Sequence, residues 1–460
     1  MLNKASLISS LLLCLALNGS LLDSAFAIPA LHMGPGPKSP EAGISVPIHR
    51  RSGLADSDGI FNVDKARVDV IMTVNKHRRN MMNYLSTQGS LPEGFEIKPL
   101  LALPVNLLQT LTGTNIKRQS VPLTDENNDE LWDGQISIGS NAQEFIIDFD
   151  SPSLNFECFH LTYLRSLAGS SDLWVPSSNC TDSSCSSKKK YNSSASSSSE
   201  AQSGTFNIQY GDGSTVSGSI FADSVTVAKI PVTGQHFAAV TNMSIAQTSF
   251  DGILGMGYST LSNLGAPTFF ETAVKQGVVS SPEFSFFLSP NGSELYIGGT
   301  NSQLYTGDIE FHDVNTSPGY WKISDGSISV PSNASVVSGF DTIVDSGTTL
   351  IYGPTDAVKT LWASIPGASA YDAEPGFYMY PCNQTLGVSF SWGGKNWNIP
   401  DEHMSTGFTD GSGQNCVGAI VGQNIFGSSS PTWLVGDTFM KGVYSVFNLG
   451  NNQLGFAQLA

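Results

Sequence analysis

Apolar and β-branched residues fall along this chain in short runs separated by Gly, Ser, Thr and Asn, and no long amphipathic helical run appears after the first hundred residues. The pattern predicts many short strands joined by turns. Two stretches near the start differ. "MLNKASLISSLLLCLALNGSLLDSAFA" has one early Lys, an apolar run and a small-x-small end at Ala25-Phe26-Ala27, the build of a secretory signal over residues 1–27. "KARVDVIMTVNKHRRNMMNYL", 65–85, is the segment expected to be helical. No later apolar run is long enough to span a bilayer and the terminal "NNQLGFAQLA" carries no lipid-anchor signal, so an exported protein without a membrane anchor is expected.

Length and charge refine the picture. A chain of 460 residues has room for a large core split between two lobes. Residues 28–118 carry eleven Lys and Arg against seven Asp and Glu, a formal +4. From Gln119 onward, leaving out 151–168, nine Lys face thirty acids, a formal −21. A basic segment therefore precedes an acidic body, and Lys117-Arg118 between them is a candidate processing site. The acidic body argues against nucleic acid and anionic membranes as partners.

Six cysteines are present. Cys14 leaves with the signal and Cys158 lies in an anomalous passage, which leaves Cys180 with Cys185 and Cys382 with Cys416. In an exported chain, two local disulfides are expected before a metal site, and no histidine cluster accompanies the four. No metal and no cofactor is expected.

The strongest chemistry lies in "FDTIVDSGTTLIYGP", 340–354, where a β-branched strand runs into Asp345-Ser346-Gly347-Thr348. An aspartate at the end of a buried strand, on a tight loop of hydroxyls and glycine, can receive several hydrogen bonds and stay ionised. It has a twin. "EFIIDFD", 144–150, is another apolar strand ending in an aspartate, Asp150. Asp150 is followed by Ile253-Leu254-Gly255 and Asp345 by Leu434-Val435-Gly436, at spacings of 105 and 91 positions to the glycine. With eighteen residues set aside the first spacing becomes 87, and the two halves nearly match.

On these motifs the chain resembles the secreted pepsin-like aspartic endopeptidases, those of fungi most of all, over roughly 130–460. "SSDLWVPSSNCTDSSC" with Trp174, "FNIQYGDGSTVSG" with Tyr210, "GYWKI" and the terminal "GDTFMKGVYSVFNLGNNQLGFA" follow the family in order. The resemblance implies an all-β, bilobal fold of two β-barrel-like lobes with the cleft between them, an N-terminal lobe over 119–312 and a C-terminal lobe over 313–460. It implies Asp150 and Asp345 as the catalytic pair and Tyr210, Gly211, Asp212, Gly347 and Thr348 as substrate-binding residues. Tyr210 would sit at the tip of a β-hairpin flap, and Asp212 would accept Lys before the cut. Gly169, Ser170, Trp174 and Ser346 would support the site. Residues 28–118 would be a propeptide whose helical part faces the cleft at neutral pH and leaves in acid. Polypeptide substrates, the propeptide as intramolecular inhibitor, a monomer and secreted or vacuolar residence complete the expectation.

One passage departs from the family. After the first aspartate the pattern is Thr-Gly-Ser, whereas Asp150 meets Ser151-Pro152. Proline has no N–H to give a carboxylate and restricts the residue before it. Counting back from "GSSDLW" gives Ala168-Gly169-Ser170, which restores the glycine without the hydroxyl. We expect residues 151–168 to be a translated intron. Reading Ser151 as A-GT, and Leu167 ending in A before Ala168 as G-CN, excision from GT through AG removes 51 nucleotides in frame. The join is then a threonine codon, and the product reads "DFDTGSSDLWVP". The alternative is an authentic insertion in a pepsin-fold binding protein that is catalytically silent. A serine or metallo-hydrolase is disfavoured, since neither a nucleophile elbow nor a paired-histidine motif occurs. Ser-rich 186–204 is expected to be a surface loop, and sequons at Asn179, Asn192, Asn242, Asn291, Asn315, Asn333 and Asn383 permit glycosylation.

Overall fold

Short apolar strands that must bury both faces have to sit inside a sheet with neighbours on every side. The chain does this twice. The computed structural model describes residues 43–48, 53–102, 133–150, 171–209, 215–244, 250–289, 292–427 and 430–460. Its first seven-stranded sheet runs, edge to edge, through Asp133–Ile138, Gln143–Asp150, Gly252–Gly255, Leu173–Pro176, Ile230–Met243, Thr215–Val227 and Glu200–Gln209. Asp133–Ile138 pairs back onto Thr215–Val227, which closes the sheet into a barrel. The second has the order Trp397–Asn398, Ser389–Ser391, Lys322–Val330, Asn333–Val344, Trp433–Val435, Ile351–Gly353 and Ile420–Gly422.

The two sheets share one motif. In each, the strand that leads to an aspartate pairs in parallel with a short apolar strand leading to a glycine. That strand pairs antiparallel with the strand after the aspartate loop, which in turn has a parallel neighbour. The apolar strands Gly252–Gly255, Trp433–Val435 and Ile351–Gly353 are buried at every position, as both-face burial demands. The architecture is all-β and bilobal, as the resemblance implied.

A six-stranded sheet ties distant parts of the chain together in the order Ile44–Ile48, Ser293–Ile297, Glu283–Phe287, Tyr444–Asn448, Gln453–Leu459 and Tyr305–Asp313. Its edge strand, Ile44–Ile48, comes from the basic N-terminal segment and pairs antiparallel with Ser293–Ile297. A small four-stranded sheet in the second half carries the Cys382–Cys416 disulfide, and Cys180–Cys185 closes the loop after Leu173–Pro176.

The helix expected over 65–85 spans Val63–Gln88. The Asn62 side chain caps its start by accepting from Lys65 N–H, and Gly89 ends it in the left-handed region at φ 79°. The helix buries Ala66, Val74, Met81 and Tyr84 against Tyr320, Ile343, Leu350, Tyr352, Phe377 and Phe426 of the body. It also buries Lys65, Asp69, Thr73, Asn75, Lys76, His77 and Asn80, and a core helix does not carry so many polar groups inside. Buried polar groups need partners: Asp69, Lys76 and His77 meet Tyr352, Asp345 and Tyr320 of the body, while Lys65 and Asn75 meet Asp56 and Leu101 of the N-terminal segment itself.

The Ser-rich stretch 186–204 is less loop-like than its composition predicts. Tyr191 is buried and donates to the Asp223 carboxylate at 2.6 Å, Lys188 Nζ is buried and donates to the Phe250 carbonyl, and the strand Glu200–Gln209 begins inside it. Serines hid this because the aromatic and the lysine that anchor the stretch are isolated among them.

Candidate active site

Asp345 follows the strand Asn333–Val344 and is fully buried. Its backbone N–H donates to the Val435 carbonyl at 3.0 Å, which continues the parallel pairing by one residue. The tight loop then turns its donors back onto the carboxylate. Gly347 N–H donates to Oδ1 at 3.1 Å and the Thr348 hydroxyl to Oδ2 at 2.5 Å, with Ser346 buried between them. Such donors favour the ionised carboxylate. Gly436 lets the neighbouring strand approach: a Cβ there would lie 1.9 Å from the Thr348 carbonyl oxygen.

The basic helix supplies the counter-charge. Lys76 Nζ, wholly buried, donates to Asp345 Oδ2 at 3.2 Å. The next residue, His77, places Nε2 3.9 Å from the same oxygen and Nδ1 3.1 Å from the Tyr320 hydroxyl. Burial first, then the charges of Lys76 and Arg79, hold His77 well below the ordinary histidine value. Two further contacts fasten the helix to the same half of the body. Arg67 pairs with the largely buried Glu374, and Tyr352 donates a short hydrogen bond to Asp69. Toward its other end Asn83 and Thr87 donate to the Leu261 and Thr260 carbonyls. Sequence reasoning named the basic segment without choosing among its cations. The central position of Lys76 in the one long helical stretch was the available signal.

In the first half, Asp150 ends its strand paired with Gly255, the place that Asp345 holds beside Gly436. The Asp150 side chain and residues 151–170, among them Gly169 and Ser170, lie outside the described residues. Trp174 is buried in the next strand, among Cys180, Cys185, Phe206, Ile208 and Val216. It thus packs between the small disulfide loop and the hairpin formed by Glu200–Gln209 and Thr215–Val227. That hairpin closes at the pair Gln209 with Thr215, so Tyr210, Gly211 and Asp212 belong to its connection, which lies outside the described residues.

Strand register measures the anomalous passage independently of any motif. Phe149 and Leu173 both pair with Leu254, and Val344 and Ile351 both pair with Val435. The first connection takes 24 residue steps and the second 7, an excess of 17. Seventeen codons are 51 nucleotides.

The family model for eukaryotic aspartyl proteases matches residues 166–459, starting sixteen residues past Asp150. Among curated proteins, an "Aspartic protease" of Phaffia rhodozyma is 41% identical over 343 residues, covering 73% of this chain and 78% of the relative. "Major aspartyl peptidase 1" of Cryptococcus neoformans is 31% identical over 74% of this chain and 71% of its own. "Cathepsin D" of Clupea harengus is 35% identical over 79% and 90%. With the same four-strand motif behind each aspartate and matches of this extent, the chain belongs to the eukaryotic aspartyl protease family, as a pepsin-like aspartic-type endopeptidase.

Proposed function

We propose that the chain is the precursor of an acid endopeptidase that works through Asp150 and Asp345 and is held inactive by its own residues 28–118. The single observation that carries this reading is the ion pair of Lys76 with Asp345, formed with both side chains wholly buried. An ammonium bound there occupies the place of the attacking water and of the substrate carbonyl. Residues 1–27 act as the export signal, Lys117-Arg118 is the maturation point, and 119–312 and 313–460 are the two lobes. The processed enzyme is a secreted or vacuolar monomer.

The chemistry follows from two carboxylates about 3 Å apart, which cannot both ionise easily and share one proton in acid. One draws a proton from the bound water as its oxygen attacks the peptide carbonyl, and the other protonates the developing oxyanion. The substrate is an extended peptide with bulky apolar residues at the cut, Lys also being accepted beside Asp212, with Tyr210, Gly211, Gly347 and Thr348 contacting its backbone. In the precursor Gly347 and Thr348 spend their donors on Asp345.

The active product requires that residues 151–168 be absent apart from a threonine at the join. Two observations support their origin in a retained intron: the register excess of 17 residues, and a family match that begins only at 166. A second reading rests on Pro152, which follows Asp150 closely and has no N–H for a carboxylate. On it the chain as written is a silent, peptide-binding member of the family.

Sequencing the message across codons 150 to 169 decides the origin; the 51 nucleotides are expected to be missing from mature message, and their presence throughout it contradicts the intron. For function, the chain lacking 152–168 and carrying Ser151→Thr is acidified and given a denatured protein. Pepstatin-sensitive cleavage is expected, and an inert product hands the chain to the binding reading.

A further inference from the structure

We propose that His77 is the proton sensor of the precursor: its buried, neutral ring completes the docked state of the Val63–Gln88 helix, and its protonation expels the helix from the site. This inference rests on the precursor reading above and adds the trigger.

The geometry favours a neutral ring. His77 is 1% exposed. Its ring meets Phe426 edge-on, with centroids 4.9 Å apart, and tilts against Tyr320 at 5.5 Å. One nitrogen, Nδ1, has the Tyr320 hydroxyl at 3.1 Å. The other, Nε2, is buried with no hydrogen-bond partner among the described residues and stops 3.9 Å from Asp345 Oδ2. A charged imidazole needs a good acceptor at both nitrogens. Tyr320 cannot become a phenolate to help, because burial pushes its hydroxyl far up.

The charges around the ring act in the same sense. From its own helix come Lys76 and Arg79, both cations, and both lower its basicity after burial has done so. From the loop after Asn333–Val344 comes Asp345, the one anion facing the ring among the described residues, and it is already engaged by Lys76, Thr348 and Gly347. From the segment before Lys322–Val330 comes Tyr320, and from the turn at 425–426 the uncharged Phe426. Among the described residues, a third cation brought next to Lys76 and Arg79 meets no anion besides Asp345.

The sign follows from linkage. His77 is less basic docked than free, so the released helix binds the proton more tightly and docking is strongest above the free value of about 6.5. As pH falls below that value, docking weakens by about tenfold per unit until the docked ring also titrates. The helix is also held through Asp69, which accepts from Tyr352, and through Arg67, which pairs with Glu374. Release therefore begins in the histidine range, so mild acidification suffices.

The test is hydrogen exchange of residues 63–88 in the full-length chain, pulse-labelled for seconds at each pH from 7.5 to 4 and corrected for intrinsic rate. Wild type is expected to protect these residues at pH 7.5 and to lose protection between about pH 5 and 6.5. His77→Gln and His77→Asn, which keep a polar group toward Tyr320 and cannot take a proton, are expected to stay protected to at least one unit lower. Midpoints for both variants that coincide with wild type overturn the sensor while leaving the precursor reading intact. A helix unprotected at pH 7.5 in wild type overturns both.

Discussion

At the scale of single residues, the site is organised by what each group gives Asp345. The Thr348 hydroxyl and Gly347 N–H give it hydrogen bonds, and Lys76 gives it charge. Removing one partner of a buried pair leaves the other charged and uncompensated, at a cost of about 3–5 kcal/mol. Lys76→Met is therefore expected to undock the helix at neutral pH, read as lost exchange protection over 63–88 and a lower unfolding midpoint in denaturant. Gly436 is a different case, since it is empty space and not an interaction that matters there. With a Cβ placed 1.9 Å from the Thr348 carbonyl, Gly436→Ala must shift the aspartate loop. We expect it to lower stability by about 2 kcal/mol or more and to depress kcat beyond what stability explains. Both glycine and aspartate were legible in the sequence, because the pairing of "IVDSG" with "WLVG" repeats that of "IIDFD" with "GILG". Lys76 was not. Eleven cations lie in 28–118, and only the docking of a helix onto particular loops selects one of them.

At the scale of elements, the helix Val63–Gln88 joins local to tertiary structure. Its period and position were readable, and its ends follow from the Asn62 cap and from Gly89 in the left-handed region. Its polar burial was not readable, because Asp69, Thr73, Lys76, His77 and Asn80 look like a solvated face until Tyr352, Tyr320 and Asp345 are placed against them. Loss of an N-cap costs about 1 kcal/mol. Where one proton couples to release at about 1.4 kcal/mol per pH unit, Asn62→Ala should raise the release midpoint by about 0.7 unit. Exchange of 63–88 against pH measures it. The strand Ile44–Ile48 escaped sequence reading altogether, since five residues with a proline at the fourth give no clear period and its partner lies some 250 positions away.

At the scale of the whole molecule, a segment of formal charge +4, residues 28–118, precedes a body of formal charge −21. Long-range attraction of this kind is screened within about 10 Å at 0.1 M salt, whereas the buried Lys76–Asp345 pair is screened far less. Raising ionic strength from about 0.05 to 0.5 M is expected to move helix release to higher pH by a few tenths of a unit. A shift of two units would place the hold in exposed charges and not in the buried pair. Two sheets sharing a four-strand motif also give a standard for judging the connection after Asp150. The sequence suggested its length through an imperfect duplication, and strand register supplies 17 residues without using any motif.

The central claim is that Asp150 and Asp345 act as one unit on a shared water. The measurement that meets it most directly is kcat at acid pH for the enzyme lacking 152–168 with Ser151→Thr, processed in trans, as Asp150→Asn, Asp345→Asn and the double variant. Each single change is expected to cost about a thousandfold or more, and the pair little beyond either alone, as for groups that work together. A single variant that keeps a tenth of the activity, or losses that multiply in the double variant, would contradict the account.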